Sequence, residues 1–257
     1  MRLRDGTELW RTMVEAQNPM GNPMLVDNLM IFGMEAARAC AVEVQTGKLR
    51  YCIHLIDKCE NCWGAGHASP ALAGNFALQV FESDTMNPID RMISFVKKAI
   101  GFPPIRLRAE TGEQILVAFD WRDGSVRWRT SLGKGSLFPP GHIAGTPIVV
   151  DSVAFIPAAN NGHVVAVNTR TGRVLWSAPV RSGRGSVNVI RGSVFAATLD
   201  TTFVVLDAAS GRVTCRQRLP ARADRAGLTI AGETGILTLG NGTLMARPLG
   251  DWLTCRS

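Results

Sequence analysis

The sequence contains no long hydrophobic run. No apolar stretch approaches the roughly 18 to 20 residues that a membrane-spanning helix requires, which predicts a chain without a transmembrane segment. The basic residues Arg2 and Arg4 are not followed by an apolar segment, so the start lacks the pattern of a secretory signal. These features are those of a cytoplasmic protein, or of a mature or trimmed form of an exported one.

Lysine is absent from residue 160 onward, where twelve arginines stand against five acidic residues. The difference, 12 − 5 = +7, equals the net charge of +7 of the whole chain, so the positive excess lies in this part. A basic surface can attract acidic partners or nucleic acid, but no aromatic side chains that would stack on bases are interleaved with the arginines. We predict a solvated arginine-rich surface and no nucleic-acid partner. Its densest part contains Arg212, Arg216, Arg218, Arg222 and Arg225.

Glycine and proline are abundant, with 26 and 13 residues among 257, and they favour many turns between short strands. A glycine turn followed by an apolar or aromatic strand recurs six times, and the sixth copy is the least regular. The turn glycines are Gly6, Gly47, Gly124, Gly172, Gly211 and Gly250. They lie 41, 77, 48, 39 and 39 residues apart. Apart from the longest spacing, this is the period of one four-stranded propeller blade, about 40 to 50 residues.

Each turn is followed by a predicted docking residue. The glycine supplies the positive φ of a tight turn, and a tryptophan on the following strand is large enough to fill the wedge between neighbouring radial sheets. Tyr51 and Cys215 replace tryptophan in their copies, which predicts weaker or differently packed contacts there. The six predicted docking residues are Trp10, Tyr51, Trp128, Trp176, Cys215 and Trp252.

Upstream of each turn, a strand ends in small or branched residues, and earlier still a strand begins at a proline, as at Pro147; four strands per unit follow. The succession Ala166-Val167-Asn168, Gly172-Arg173 and Trp176 resembles the PQQ-like, tryptophan-docking repeat of quinoprotein propellers. The resemblance covers nearly the whole chain. It implies an all-β fold, a β-propeller of four-stranded blades with about five blades and a partial one, as a single domain over residues 1–257.

The two ends of the repeat series differ. Met1 to Trp10 corresponds only to the last strand of a blade, whereas the last unit is expected to carry its own final strand, Asp251 to Cys255. A propeller needs ring closure to hide its edges. We therefore expect missing N-terminal blades or additional domains in a longer parent protein, with closure of the ring by the N-terminal strand as the other explanation.

The longest spacing contains a predicted insertion at residues 82–112 within one blade. Its centre, residues 87–101, is predicted to be a helix, because Asn87 can cap it, Gly101 can end it and its apolar residues form one stripe. We expect this helix to dock on its own propeller. A helix that binds a partner or a membrane surface is the alternative.

The densest group of reactive side chains is His54, Cys59, Cys62 and His67. The C-x-x-C spacing and the two flanking histidines would suit a tetrahedral zinc site. A local disulfide between Cys59 and Cys62 is the preferred expectation, and free thiols are the third alternative. The C-x-x-C-H pattern of haem attachment is absent.

Two further pairs stand at equivalent places in successive units. His67 and His142 each follow a glycine and precede the first strand of a unit, so they would lie on one rim near the central channel. They are candidates for binding a ligand or cofactor, although a hydrogen-bonding role is preferred. Cys215 and Cys255 end equivalent strands, and we predict two buried, unbridged thiols because neighbouring blades would hold them too far apart.

The family that the repeat resembles contains quinone-dependent dehydrogenases and non-catalytic relatives such as the outer-membrane assembly lipoprotein. Its dehydrogenases carry adjacent cysteines and acidic calcium ligands, which this sequence does not show, and it has no nucleophile-elbow, phosphate-loop or HExxH motif. We predict a binding or scaffolding module with no catalytic residue and no cofactor, which binds a protein partner in a periplasmic or extracellular protein. The alternatives are a fragment of a dehydrogenase that uses PQQ with calcium, and the ligand-sensing domain of a larger receptor.

Overall fold

The computed structural model describes residues 7–14, 21–34, 37–56, 62–63, 68–84, 112–135, 145–158, 161–182, 187–198 and 200–255. In these ranges the chain forms twenty strands and one short helix, and the strands make five antiparallel sheets.

The sheets follow one another along the chain. Sheet 1 consists of β1 (Met24–Val26), β2 (Leu29–Met34), β3 (Arg38–Glu43) and β4 (Leu49–His54). Sheet 2 consists of β5 (Cys62–Trp63), β6 (Ala71–Ala73), β7 (Phe76–Asp84), β8 (Gly112–Asp120) and β9 (Val126–Gly135). Sheet 3 consists of β10 (Ile148–Val150), β11 (Val153–Ala158), β12 (His163–Asn168) and β13 (Val174–Pro179).

Sheet 4 consists of β14 (Asn188–Ile190), β15 (Ser193–Ala197), β16 (Thr202–Asp207) and β17 (Val213–Arg218). Sheet 5 consists of β18 (Ala223–Ala231), β19 (Thr234–Leu239) and β20 (Leu244–Pro248). Helix α1 (Leu249–Thr254) follows β20 directly.

In sheets 1, 3 and 4 each strand pairs with the next in the chain. Sheet 2 has the same arrangement, because β5 and β6 lie one after the other along the same edge of β7, which then pairs with β8 and β8 with β9. Successive sheets with this strand order are the blades of a propeller. The predicted all-β propeller is confirmed.

The first hairpin of each sheet turns on a residue with left-handed backbone. The φ angles there are 49° at Asp27, 61° at Gly74, 52° at Asp151, 49° at Arg191 and 60° at Gly232. Two-residue hairpin loops need positive φ, since their twist must match that of the strands. The five hairpins therefore begin at equivalent places. Positions on the later strands can be compared between sheets by counting from these residues.

The core consists of apolar layers between neighbouring sheets, with one cluster for each of the four interfaces. Because strand residues alternate between the two faces, every inner sheet contributes to two layers. The layers are represented, in order along the chain, by Ile31 with Phe119, Leu116 with Ile156, Val164 with Val204, and Phe203 with Leu237.

The last unit differs from the prediction. The segment expected to be its final strand, Asp251 to Cys255, lies in helix α1 and the residue after it, so sheet 5 has three strands among the described residues. Trp252 is fully buried, and its Nε1 donates to the Gly235 carbonyl of its own unit at 3.0 Å. The prediction of Trp252 as a docking residue on a strand is wrong. The expectation of missing N-terminal blades had relied on a final strand at Asp251 to Cys255, and that strand is not formed.

The predicted insertion at 82–112 is described only at its ends. Asp84 pairs with Gly112, so residues 82–84 and 112 belong to the ladder of β7 and β8. The predicted helix at 87–101 lies outside the described residues and stays a prediction.

Candidate interaction surface at the outer strands

The turn between the third and fourth strands has the same construction in sheets 1 to 4. In sheet 3 the Gly172 N–H donates to the Asn168 carbonyl at 2.9 Å, and φ of Gly172 is +72°. The Asn168 side-chain oxygen accepts the backbone N–H groups of Arg170 and Thr171, each at 3.0 Å. Glu43, Asp120 and Asp207 take the place of Asn168 in the other sheets.

In the turns of sheets 1 and 4, hydrogen bonds within the turn lower the pKa of the first residue. The Ser210 hydroxyl, 2.6 Å from Oδ1, is the largest cause of the lowered pKa of Asp207. The Thr46 hydroxyl, 2.6 Å from Oε2, has the same effect on the pKa of Glu43. These carboxylates are therefore ionised at neutral pH and serve as acceptors within their own turns.

Each turn glycine of sheets 2 to 4 lies against a side chain from the preceding sheet. Trp128 on β9 covers Gly172 of sheet 3, and a β-carbon at residue 172 would be 2.7 Å from the indole ring. Trp128 Nε1 donates to the Thr169 carbonyl at 3.1 Å, and the Thr130 hydroxyl donates to the Gly172 carbonyl at 2.6 Å. One ring and two hydrogen bonds thus join a strand of one sheet to the turn of the next.

Trp176 and Tyr51 make related contacts. Trp176 Nε1 donates to the Ala208 carbonyl at 2.9 Å in the turn of sheet 4. The Tyr51 hydroxyl donates to the Trp121 carbonyl at 2.9 Å in the turn of sheet 2. Burial raises the pKa of Tyr51 and keeps the hydroxyl protonated.

The N-terminal segment 7–14 makes the same contacts on sheet 1. Trp10 Nε1 donates to the Val44 carbonyl at 2.7 Å, and the Thr12 hydroxyl donates to the Gly47 carbonyl. A β-carbon at Gly47 would be 2.6 Å from the Trp10 ring. The segment therefore docks as β9 does, although no described strand pairs with it.

Cys215 and Cys255 form a disulfide with a Cα–Cα distance of 6.0 Å. The prediction of two unbridged thiols is therefore wrong. It assumed that Cys255 ends a strand of the next blade, whereas α1 brings Cys255 back against β17. The bond occupies a docking position, so a covalent link replaces the ring that Cys215 lacks.

A second disulfide joins Cys40 on β3 to Cys52 on β4, with a Cα–Cα distance of 4.1 Å. Sequence reasoning did not predict this disulfide. The two cysteines are directly opposite in the ladder, next to the pair formed by Ala41 and Tyr51. Cys40 comes just before Ala41 and Cys52 just after Tyr51, so aligning this repeat with the others places the two cysteines opposite each other. This position in the repeat is the sequence signal for the disulfide.

The predicted metal and cofactor residues are described only in part. His54 lies at the end of β4, where its Nε2 accepts the Nε–H of Arg38 at 3.0 Å. Cys62 is in β5, and Cys59, His67 and His142 lie outside the described residues. In the ranges that are described, no three His, Cys, Asp or Glu side chains are close enough to hold a metal ion. The zinc site and the Cys59–Cys62 disulfide stay predictions.

The outer strand of sheet 4 carries part of the arginine-rich surface. Within the described residues β17 pairs with β16 alone, so no described strand pairs with its other edge. Thr214, Arg216 and Arg218 alternate along this strand and are exposed. Neither arginine makes an ion pair with any other described residue. In the part of the chain that the structure describes, the result is an unpaired strand edge whose positive charge is not compensated by an ion pair.

A family sequence model described as outer membrane protein assembly factor BamB matches residues 94–192 and 160–247. Together the matches span residues 94–247, which is more than half of the 257 residues. The chain belongs to this BamB family. Its repeat is the PQQ-like propeller repeat that the sequence resembles.

Two solved structures have a similar fold. BamB from Moraxella catarrhalis aligns with 90% of this chain at a TM-score of 0.59 and 16% identity. Quinohemoprotein alcohol dehydrogenase ADHIIG from Pseudomonas putida HK5 aligns with 85% of this chain at a TM-score of 0.53 and 13% identity. The chain spans 59% of the first protein's length and 40% of the second's.

A comparison with curated proteins found no match. In the described part of the chain, no helix has the length and apolar character needed to cross a membrane.

Proposed function

We propose that the chain is a non-catalytic protein-binding module of an envelope or secreted protein, and that the open edge of β17 receives an extended, acidic polypeptide segment. The observation that carries this proposal is the pair of exposed arginines, Arg216 and Arg218, on an outer strand that pairs with β16 alone among the described residues. An unpaired edge offers backbone donors and acceptors to an added strand.

The arginine spacing sets the chemistry of the segment. Residues two apart on a strand project to the same face, about 7 Å from each other. An added strand has the same period, so acidic side chains at alternate positions would meet Arg216 and Arg218 in turn. Paired charges fix the register of such a complex and speed its formation, whereas backbone hydrogen bonds supply much of the affinity.

Two observations support an oxidising compartment. The disulfides Cys40–Cys52 and Cys215–Cys255 are typical of secreted and periplasmic proteins, because cytosolic thiols are kept reduced. The family description names an outer membrane protein assembly factor, which fits a protein-handling role at the envelope. We place the module in the periplasm or outside the cell.

The dehydrogenase alternative requires residues for a quinone and a calcium ion. Among the described carboxylates, those of the docking turns already accept hydrogen bonds from their own turns, as Asp207 does from Ser210. In the described ranges no acidic group has the clustering that calcium requires. These residues do not fit the cofactor, and we derive no catalytic step through it.

Site-specific photo-crosslinking tests the binding edge. A photoreactive residue at Thr214 should form an adduct with a partner in cells that produce the chain naturally, and the adduct should be lost in the Arg216→Glu, Arg218→Glu variant. A photoreactive residue at Arg170, on a turn of sheet 3, is the control. Peptide mapping should identify an acidic segment; equal adducts from both positions, or an adduct that survives the double substitution, would reject the edge.

Titration with PQQ and calcium tests the non-catalytic part of the proposal. We expect no saturable change in the quinone absorbance and no dye-linked oxidation of alcohols or sugars. Stoichiometric quinone binding with substrate oxidation would establish the dehydrogenase alternative instead.

A further inference from the structure

A cleft of about 740 Å³ opens between sheets 2 and 3. Its walls are the first hairpin of sheet 2, the first hairpin of sheet 3 and the turn between β12 and β13. This volume is in the range of pockets that bind small molecules. The side chains that line the cleft include Asn75, Phe76, Asp151, Ser152, Thr169 and Arg170.

One backbone carbonyl in the docking turn of each of sheets 1 to 4 accepts a hydrogen bond from a docking tryptophan or tyrosine. It belongs to the second residue of the turn, so the four residues are equivalent and their side chains can be compared. Only one of the four carries a hydroxyl group and only one carries a ring. The residues are Val44, Trp121, Thr169 and Ala208.

Trp121 shows what a large side chain does at this position. It is 7% exposed and packs in the apolar layer between sheets 1 and 2. Its Nε1 donates to the Gly74 carbonyl at 3.3 Å. Thr169 stands at the same place beside the cleft between sheets 2 and 3, where threonine is too small to replace the indole. This difference in size accounts for the open space at the second interface.

The hydroxyl groups of Thr169 and Ser152 are available to a molecule in the cleft. Neither hydroxyl makes a hydrogen bond with any residue that the structure describes. The Ser152 carbonyl is used, because it accepts the Thr169 backbone N–H at 2.9 Å. The backbone therefore fixes the two residues next to each other, while both side chains stay without a partner in the described ranges.

The remaining polar groups of the cleft are of both charge types. The Asn75 side-chain oxygen accepts Arg122 Nη2 at 2.9 Å, so the amide NH2 group of Asn75 is left to donate. Asp151 and Arg170 are exposed, and neither side chain has a hydrogen bond or an ion pair within the described chain. The cleft thus offers an amide and a guanidinium as donors and a carboxylate as acceptor.

One part of the lining is apolar. Phe76 is partly buried against the apolar layer between sheets 2 and 3, and it lines the cleft beside Ala73. An apolar wall combined with a few polar groups is the usual composition of a ligand pocket. Such a wall suits a ring with one C–H face better than a fully polar ion.

We propose that this cleft binds a sugar acid, a small molecule with one carboxylate and several hydroxyl groups on a ring. Arg170 and the Asn75 amide donate to the ligand carboxylate. Asp151 accepts from ligand hydroxyls, and the hydroxyls of Ser152 and Thr169 can donate or accept. The cleft lies between sheets 2 and 3 and the β17 edge is in sheet 4, so this site and the proposed binding edge can fail independently.

Titration of the 257-residue chain with glucuronate tests the site, with amide chemical shifts of isotope-labelled protein as the readout. We expect saturable shifts at residues 151–152 and 169–170, with a Kd on the order of 1 mM for a ligand of this size. Glucose lacks the carboxylate and acetate lacks the hydroxyls, so each should bind about tenfold more weakly or less. Absence of saturable shifts with glucuronate, or equal affinity for glucose or acetate, would overturn the proposal.

Two substitutions locate the ligand. Thr169→Trp introduces the residue that sheet 2 carries at this position, so it should fill the cleft and abolish the shifts while the turn keeps its backbone hydrogen bonds. Arg170→Gln should weaken glucuronate binding about tenfold and leave glucose unaffected. Its control is Arg173→Gln, the same change of charge at an exposed residue of the same turn that does not line the cleft.

Each variant has an outcome that contradicts the site. Unchanged glucuronate shifts in a folded Thr169→Trp chain would place the ligand elsewhere. Equal glucuronate affinities for Arg170→Gln and Arg173→Gln would mean that the cation of the cleft does not hold the carboxylate. The arginine pair decides this independently of how well Thr169→Trp folds, because both arginines are exposed.

Discussion

The indole ring of Trp176 lies directly against Gly211, where a β-carbon would come within 2.6 Å of the ring. Gly211 also has a φ of +70°. One position thus meets two separate requirements, the left-handed backbone of the turn and the close approach of a ring from the preceding sheet. Replacing this glycine should incur both costs.

Substitution of Gly211 by alanine can be resolved into these two costs. Gly192 is the matched control, because its φ is +72° but nothing lies within 4 Å of a β-carbon there. Gly192→Ala should lose about 1–2 kcal/mol of unfolding free energy from the left-handed backbone. Gly211→Ala should lose a further ~1–3 kcal/mol, because the added methyl group displaces the indole. Urea unfolding measures both, and equal losses would contradict the ring contact.

The residues of this joint show how much the sequence predicts. Glycine spacing locates the turns, and tryptophan marks the strand that docks, so the blade architecture follows from local pattern. The partner of each ring was not predicted, because it lies in the next unit, 35 residues away for Trp176 and Gly211. The pattern describes the sequence of one unit, whereas the contact forms between two.

Trp252 should contribute strongly to the core, although it lies on helix α1 and not on a docking strand. It is fully buried, its ring centroid lies 5.0 Å from that of Phe203, and its Nε1 is hydrogen-bonded. Trp252→Ala should lose about 3–5 kcal/mol of unfolding free energy, and Trp252→Phe should lose less because it keeps most of the packing. Thermal or urea unfolding checks the order, and a neutral Trp252→Ala would mean that α1 does not hold the ring in the core.

The helix that carries Trp252 was not predicted for a specific reason. In sheets 1 to 4, the docking residue follows the residue directly opposite it on the third strand by ten positions, as Trp176 follows Ala166. Only six positions separate Ala246, the corresponding residue of sheet 5, from Trp252. Six positions leave too little chain for both the turn and a returning strand. Gly250 resembles a turn glycine in sequence, so the spacing to the nearest aromatic was the only signal of the difference.

Loss of the Cys215–Cys255 disulfide should cost more than loss of Cys40–Cys52. The first closes a separation of 40 residues and the second of 12. On chain-entropy grounds the two bonds contribute about 4 and about 3 kcal/mol respectively. Replacing each pair by alanine and measuring urea unfolding tests the order, and the reverse order would show that packing around the sulfurs outweighs loop closure.

Acid should weaken the turn that begins at Asp207. Hydrogen bonding lowers its folded-state pKa below the ordinary value of 3.8. The resulting stabilisation is present above that ordinary value and is lost as the pH falls through the folded-state pKa. Asp207→Asn should therefore reduce the loss of stability between about pH 4 and pH 2, because an amide does not titrate.

Sheet 3 supplies the reference for this experiment, since Asn168 already accepts the same backbone hydrogen bonds there. Asn168→Asp should increase the dependence of unfolding free energy on pH over the same range. Parallel pH profiles for the original chain and both variants would contradict a role for these carboxylates in the turns.

The contact between a docking ring and the next turn glycine has a consequence for how such chains change in length. Sheets 2 and 3 each carry a ring that contacts the next turn glycine and a glycine that receives the preceding ring, so deleting or duplicating one of them leaves a ring against a glycine at each remaining joint. Growth and shortening of the array are therefore nearly neutral for local packing.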